Sequence, residues 1–136
     1  MALSKDILSG SSSPSNFSNF TITVKRILEL LDLEAEDDYG VLQPTDYAFK
    51  KVMNLVLETY EIMGNSFPKA WVSTDEFGGI TLEWSNRNKD CAIHLFCPAH
   101  FDKTSHIYHQ KGDDYAVDYE VSSSRLIHWL QWFNEA

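Results

Sequence analysis

The sequence predicts an α+β domain, a four- to five-stranded antiparallel meander with helices packed on one face. Three observations carry this. Apolar residues recur with a period near 3.6 before residue 67 and again after residue 122. Between those limits the period falls to 2. The linkers inside the period-2 region are short and rich in turn residues, which suits neighbouring antiparallel strands rather than crossovers.

The chain has 136 residues, a length that fits one domain. A domain of this size buries roughly two-thirds of the surface its unfolded chain exposes. Hydrophobic residues make up 43% and aromatics 13%, so there is material for a core. Two segments are distinguished: a flexible serine-rich tail over 1–18 and a single α+β domain over 19–136. The tail holds seven serines (Ser4, Ser9, Ser11, Ser12, Ser13, Ser15 and Ser18) with Gly10 and Pro14, and has little to bury.

The first helix is read from Phe20, Val24, Ile27, Leu28 and Leu31, spaced i, i+4, i+7, i+8, i+11. Ser18 is its predicted cap, with Phe17 and Ile22 as a hydrophobic staple. An acidic run follows (Asp32, Glu34, Glu36, Asp37, Asp38), and Tyr39-Gly40 breaks the chain. Pro44-Thr45-Asp46 opens the second helix. Its apolar stripe is Ala48, Val52, Leu55, Val56, Thr59, Ile62 and Met63, and Gly64 suits its end.

Strands are expected near 70–73, 79–85, 91–97, 104–110 and 115–121. The clearest is Gly78-Gly79-Ile80-Thr81-Leu82-Glu83-Trp84. Two glycines turn the chain; then Ile80, Leu82 and Trp84 fall on one face, Thr81 and Glu83 on the other. The chain ends in a helix with the stripe Leu126, Trp129, Leu130 and Phe133, capped by one of Ser122, Ser123 and Ser124.

Tyr39-Gly40, Pro44, Pro68, the Gly78–Trp84 run and the Trp-Leu terminal helix together resemble a family. The chain is similar over about 39–133 to a group of small bacterial proteins, common in cyanobacteria, that share a Gly-(Gly)-Ile/Val-x-Leu-Glu-Trp strand. No activity is established for that group. The resemblance implies the fold and a bacterial origin, and nothing catalytic.

Charge and motifs exclude several functions. Eleven basic against twenty acidic residues leave −9, a field that repels phosphate backbones and anionic membranes. Neither direct nucleic-acid binding nor membrane binding is expected. No apolar run approaches the ~18 residues of a membrane span, and Met1-Ala2-Leu3-Ser4-Lys5-Asp6 leads into no signal sequence. Cys91 and Cys97 fall on the same face of one predicted strand, which separates their Cα atoms by roughly 20 Å. A disulfide needs about 4.4–6.8 Å. Two free buried thiols and a cytoplasmic, reducing location are expected.

Cys91-x-x-His94, Cys97-x-x-His100 and His106-x-x-His109 carry zinc-ligand chemistry. Residues i and i+3 of a strand point to opposite faces, however, so Cys91 diverges from His94 and His106 from His109; Cys97 and His100 converge, in a cluster with His106 or His109, only if Pro98 ends the strand. No metal and no cofactor are expected. An EF-hand loop starting at Asp32 requires glycine sixth and glutamate twelfth; the chain has Asp37 and Gln43. It has no Gly-x-Ser-x-Gly elbow, phosphate loop or His-Glu-x-x-His.

Surface recognition remains. The favoured reading is a non-catalytic protein-binding or regulatory module of a bacterial cytosol, antitoxin-, immunity- or inhibitor-like, engaging a basic partner. The candidate surface joins Asp37 and Asp38 of the acidic linker to Arg125, His128 and Trp132 of the last helix, since Trp and Arg are enriched in binding hot spots. The alternative is a small metal-binding protein or an enzyme with dispersed residues around Glu83 and the histidines.

Overall fold

The computed structural model describes residues 18–35 and 42–136. Among the described residues, three helices and five strands form, in the order α1 (Asn19–Glu29), α2 (Asp46–Met63), β1 (Trp71–Thr74), β2 (Ile80–Asn86), β3 (Cys91–Cys97), β4 (His106–Lys111), β5 (Asp114–Asp118) and α3 (Ser123–Glu135). The strands make one open sheet in sequence order, every neighbouring pair antiparallel. The α+β meander expected from the sequence is the fold.

Caps set the helix limits. Ser18 accepts the Thr21 N–H, Thr45 the Ala48 N–H and Ser122 the Arg125 N–H, each filling an orphan donor of a first turn. Two stripes depart from expectation. α1 stops at Glu29 and tightens into a 3₁₀ turn over Leu30–Asp32. The tighter turn rotates the phase, so Leu30 is buried and Leu31 exposed. Ile62 is exposed at the end of α2, where Gly64, at φ 55 and ψ −131, leads into another 3₁₀ turn. The last strand ends at Asp118 and not near 121, because the Asp118 carboxylate accepts the Glu120 N–H and bends the chain.

The core lies between the helices and one face of the sheet. Ile80, Leu82, Trp84, Ile93, Leu95 and Ile107 point into it and are fully buried. Helix α2 lies on β2 and β3, α1 on β1 and α2, and α3 on β3 and α2. Trp84 donates its indole N–H to the Pro68 carbonyl at 2.9 Å and meets Phe67 edge to face, its polar edge satisfied as a buried indole requires. Cys91 and Cys97 are buried free thiols on this same side. Burial pushes both thiols up, Cys97 to about 12.

The Gly78-Gly79 turn is structural. Gly78 has φ +91, and a Cβ there would sit 3.1 Å from Thr45 Cγ2. A Cβ on Gly79 would fall 2.7 Å from Asp75 Oδ2. Thr45 ties the turn to α2: its N–H donates to the Gly78 carbonyl, and its hydroxyl to the Ala99 carbonyl at 2.6 Å. One residue thus joins the start of a helix to both loops at this end of the sheet.

Candidate functional site

The same alternation that buries one side of the sheet presents the other to solvent. Among the described residues, no helix packs over the face that carries Thr81, Glu83, His94, Phe96, His106, Tyr108, Tyr115 and Val117. Strand register sets its neighbours. Glu83 lies opposite His94 and Thr81 opposite Phe96. His94 faces Tyr108, and Phe96 faces His106. Tyr108 faces Val117, and Gln110 faces Tyr115. Ring centroids lie 5.3 Å apart in the His94–Tyr108 and Phe96–His106 pairs, 6.2 Å for His106–Tyr119 and 6.3 Å for Tyr108–Tyr115. Cross-strand aromatic pairs of this kind hold register and leave their outer surfaces free. A shallow hollow of about 460 Å³ runs between Thr81, His94, Phe96, His106, Tyr108 and Val117.

At the loop end, Phe96 continues this surface into a cleft of about 580 Å³, walled by Phe77, Phe96, Pro98 and Ala99. Asp75 builds one wall by accepting the Phe77 and Gly79 N–H groups, each at 2.8 Å. Its carboxylate therefore belongs to the turn. Phe77 is held outward at 69% exposure, and Phe101 in the opposite loop is 82% exposed. Large exposed aromatics around a groove are a common mark of an interaction surface. Asp75 and Glu76 line the cleft at the β1–β2 turn, across from His100 and Lys103, while Asp113 and Asp114 lie at the far end of the sheet, at the β4–β5 turn.

The titratable groups of the face are solvent-facing. His94 Nε2 stands 3.4 Å from Glu83 Oε1, the two side chains 39% and 44% exposed. Burial and the neighbouring His94 push the His106 imidazole below its ordinary value. The Glu83–His94 pair lies on the open face, with both side chains in contact with solvent.

The residues singled out from the sequence are dispersed. Asp37 and Asp38 lie outside the described residues. Arg125 is engaged within the fold: its Nε and Nη2 donate to Asp118 Oδ2 at 2.9 and 2.6 Å, with Glu120 Oε2 3.8 Å from Nε. His128 is exposed and meets Trp129 edge-on. Trp132 is half-buried, edge-on to His109 and Trp129. Cys91 and His94 diverge, as do His106 and His109, as strand geometry requires; β3 ends at Cys97, and His100 lies exposed in the loop beyond it. His94 and His106 are on the open face; Cys91, Cys97 and His109 are on the helical side, His109 stacked on Trp129 at 3.6 Å. Among the described residues, no three His, Cys, Asp or Glu side chains converge as metal ligands would.

Sequence reasoning missed the aromatic lane. Its signal is present as i, i+2 spacing: His94-x-Phe96, His106-x-Tyr108 and Tyr115-x-Val117-x-Tyr119. Among the described residues, no helix is long and apolar enough to cross a membrane. Compared with family models, curated proteins and solved structures, the chain matches none of them.

Proposed function

We propose that this chain is a non-catalytic protein-binding module of a bacterial cytosol, docking a basic partner on the uncovered face of its sheet. The observation that carries the reading is an aromatic sheet face with no helix over it among the described residues, with acidic side chains in its β1–β2 and β4–β5 turns. Rigid aromatic side chains supply contact area at low entropic cost, and Tyr is enriched in hot spots. The charge of −9 speeds encounter with a cationic partner. Two buried thiols suit a reducing compartment, and the resemblance of the Gly78–Trp84 strand supplies the bacterial setting. An inhibitor-, immunity- or antitoxin-like role matches a small acidic domain of this kind. The enzyme or metal-protein alternative has the Glu83–His94 pair in its favour. That pair is exposed, where water screens it.

The test is a photo-crosslinking side chain placed at Tyr108 in cells, with a second placed at Ile62 on the opposite side. Capture from Tyr108 and not from Ile62 is expected. The purified partner should then lose about 2 kcal/mol or more on Phe96→Ala or Tyr108→Ala. Its association rate should fall with salt. A partner captured from Ile62 alone, or indifferent to both substitutions, rejects this surface.

A further inference from the structure

We propose that the free edge of β5 takes up an extended, basic segment of the partner as a sixth strand. This rests on the protein-binding reading above and specifies how the partner is held.

The edge is formed and exposed. β5 is the last strand of the sheet, and Asp114, Tyr115, Ala116 and Val117 are all exposed. Lys111 and Asp114 close a two-residue turn in which Gly112 takes φ +61. The pair closing such a turn exchanges both ladder bonds, and bonded and non-bonded pairs then alternate. His109–Ala116 and Ile107–Asp118 are therefore bonded pairs. The N–H and C=O groups of Tyr115 and Val117 point away from β4. Among the described residues, no strand pairs with them.

Both flanks of the edge offer side-chain subsites. An added strand sends alternate side chains to opposite faces. On the helical side, α3 leaves Ala116 uncovered, and a hollow of about 330 Å³ opens between Ala116 and Trp132, lined also by His109, Tyr115 and the Lys111–Asp114 pair. A small floor and an indole wall suit one apolar side chain. On the open side, Tyr115 and Tyr119 are exposed at 72% and 68%. Their ring faces suit Lys or Arg. Asp113 precedes β5 and Glu120 follows it, so both ends of this edge carry negative charge, with Lys111 the one cation at the closing pair.

Charge also selects against a second copy. Antiparallel self-pairing centred on Ala116 uses the outward groups of both Tyr115 and Val117. It sets Asp114 against Asp118 twice, and like charges directly opposite destabilise a sheet. Two chains of −9 repel as well. A cationic strand meets none of this. Main-chain bonds give it affinity, and the alternate subsites give specificity.

The test uses the full ¹⁵N-labelled chain and an acetylated heptapeptide of alternating lysine and valine. Its glutamate–valine counterpart and a form N-methylated at the pairing amides are the controls. The lysine peptide is expected to shift the amides of Tyr115 to Tyr119 and the Trp132 indole, more weakly at high salt. The glutamate peptide should give no shift. N-methylation should weaken binding at least tenfold. Val117→Pro removes an outward N–H that β4 does not use, a place where an edge strand tolerates proline; it should weaken binding at least tenfold with an unchanged melting temperature. Shifts elsewhere only, or binding that survives N-methylation, overturns the proposal even if the proline variant fails to fold. A dimer abolished by Val117→Pro overturns the choice of occupant. A partner captured at Tyr108 that binds the proline variant as tightly as wild type removes strand addition and leaves the sheet-face reading standing.

Discussion

Asp118, at the end of β5, accepts the indole N–H of Trp129 on α3 through Oδ2 at 2.9 Å. The same oxygen accepts both Arg125 bonds, while Oδ1 accepts the Glu120 N–H. One carboxylate thus latches the last helix to the last strand. Arg125, a candidate for the binding surface, is part of this latch.

The latch sets acid sensitivity. The Trp129 indole, then the Glu120 N–H and Arg125, hold the Asp118 carboxyl down at about 2 from its ordinary 3.8. A carboxylate with a depressed folded value contributes stability above its unfolded value, on the order of 2 kcal/mol here, and loses it as pH falls from about 4 through about 2. Burial also lowers His109, whose contribution is present above its ordinary 6.5 and is lost as pH falls below it. Urea melts of wild type should show both losses. Asp118→Asn should cost on the order of 2 kcal/mol at pH 7 and abolish the lower step. It also removes the charge that raises His109, so the loss below pH 6.5 should steepen. A variant with an unchanged pH profile would contradict the assignment.

Leu82 is fully buried at the centre of β2, beneath α2. Leu82→Ala should cost about 2–5 kcal/mol, the range for a well-packed core site. Chemical denaturation measures it directly, and a loss under 1 kcal/mol would mean that the core around this strand is loose.

Gly79→Ala should also destabilise, for a different reason. The new methyl has 2.7 Å to Asp75 Oδ2 and 3.1 Å to the Cys97 carbonyl. Asp75 Oδ2 must shift to make room, which disturbs the bonds that Oδ1 of the same carboxylate accepts from Gly79 and Phe77. A cost of about 1–3 kcal/mol, the desolvation scale of an unmade buried hydrogen bond, is expected. An Asp75→Ala, Gly79→Ala double variant should lose less than the sum of the singles, since both break one turn.

Thr59 is fully buried on α2, and among the described residues its hydroxyl has no hydrogen-bond partner. Thr59→Val keeps the shape and removes the desolvated oxygen. Stability should be unchanged or rise by about 1 kcal/mol. A marked loss in thermal melting would show that the hydroxyl is bonded in solution.

Metal analysis of protein purified without chelators should find no stoichiometric zinc. The strand period sends His94 and His106 to the open face and Cys91, Cys97 and His109 to the helical one. One zinc per chain, lost on Cys97→Ser, would reject this.

By itself the sequence determined what local period and local chemistry can determine. Three capping hydroxyls, a run of 3.6-period apolar residues in each helix and a switch to period 2 fixed the elements and their order. Short turns fixed the antiparallel pairing, and alternation in Ile80, Leu82 and Trp84 marked the core face. Limits drifted where a 3₁₀ turn or an Asx bend changed the phase, as at Leu31 and Asp118. Only the tertiary structure decided that Phe96, Tyr108, Tyr115 and Tyr119 share one open surface. It alone committed Arg125 to Asp118 and brought Trp132 beside Ala116. These are contacts between residues far apart in the chain or on separate strands. They follow from register and helix placement, and a period measured along one segment carries no information about which neighbour the next segment provides.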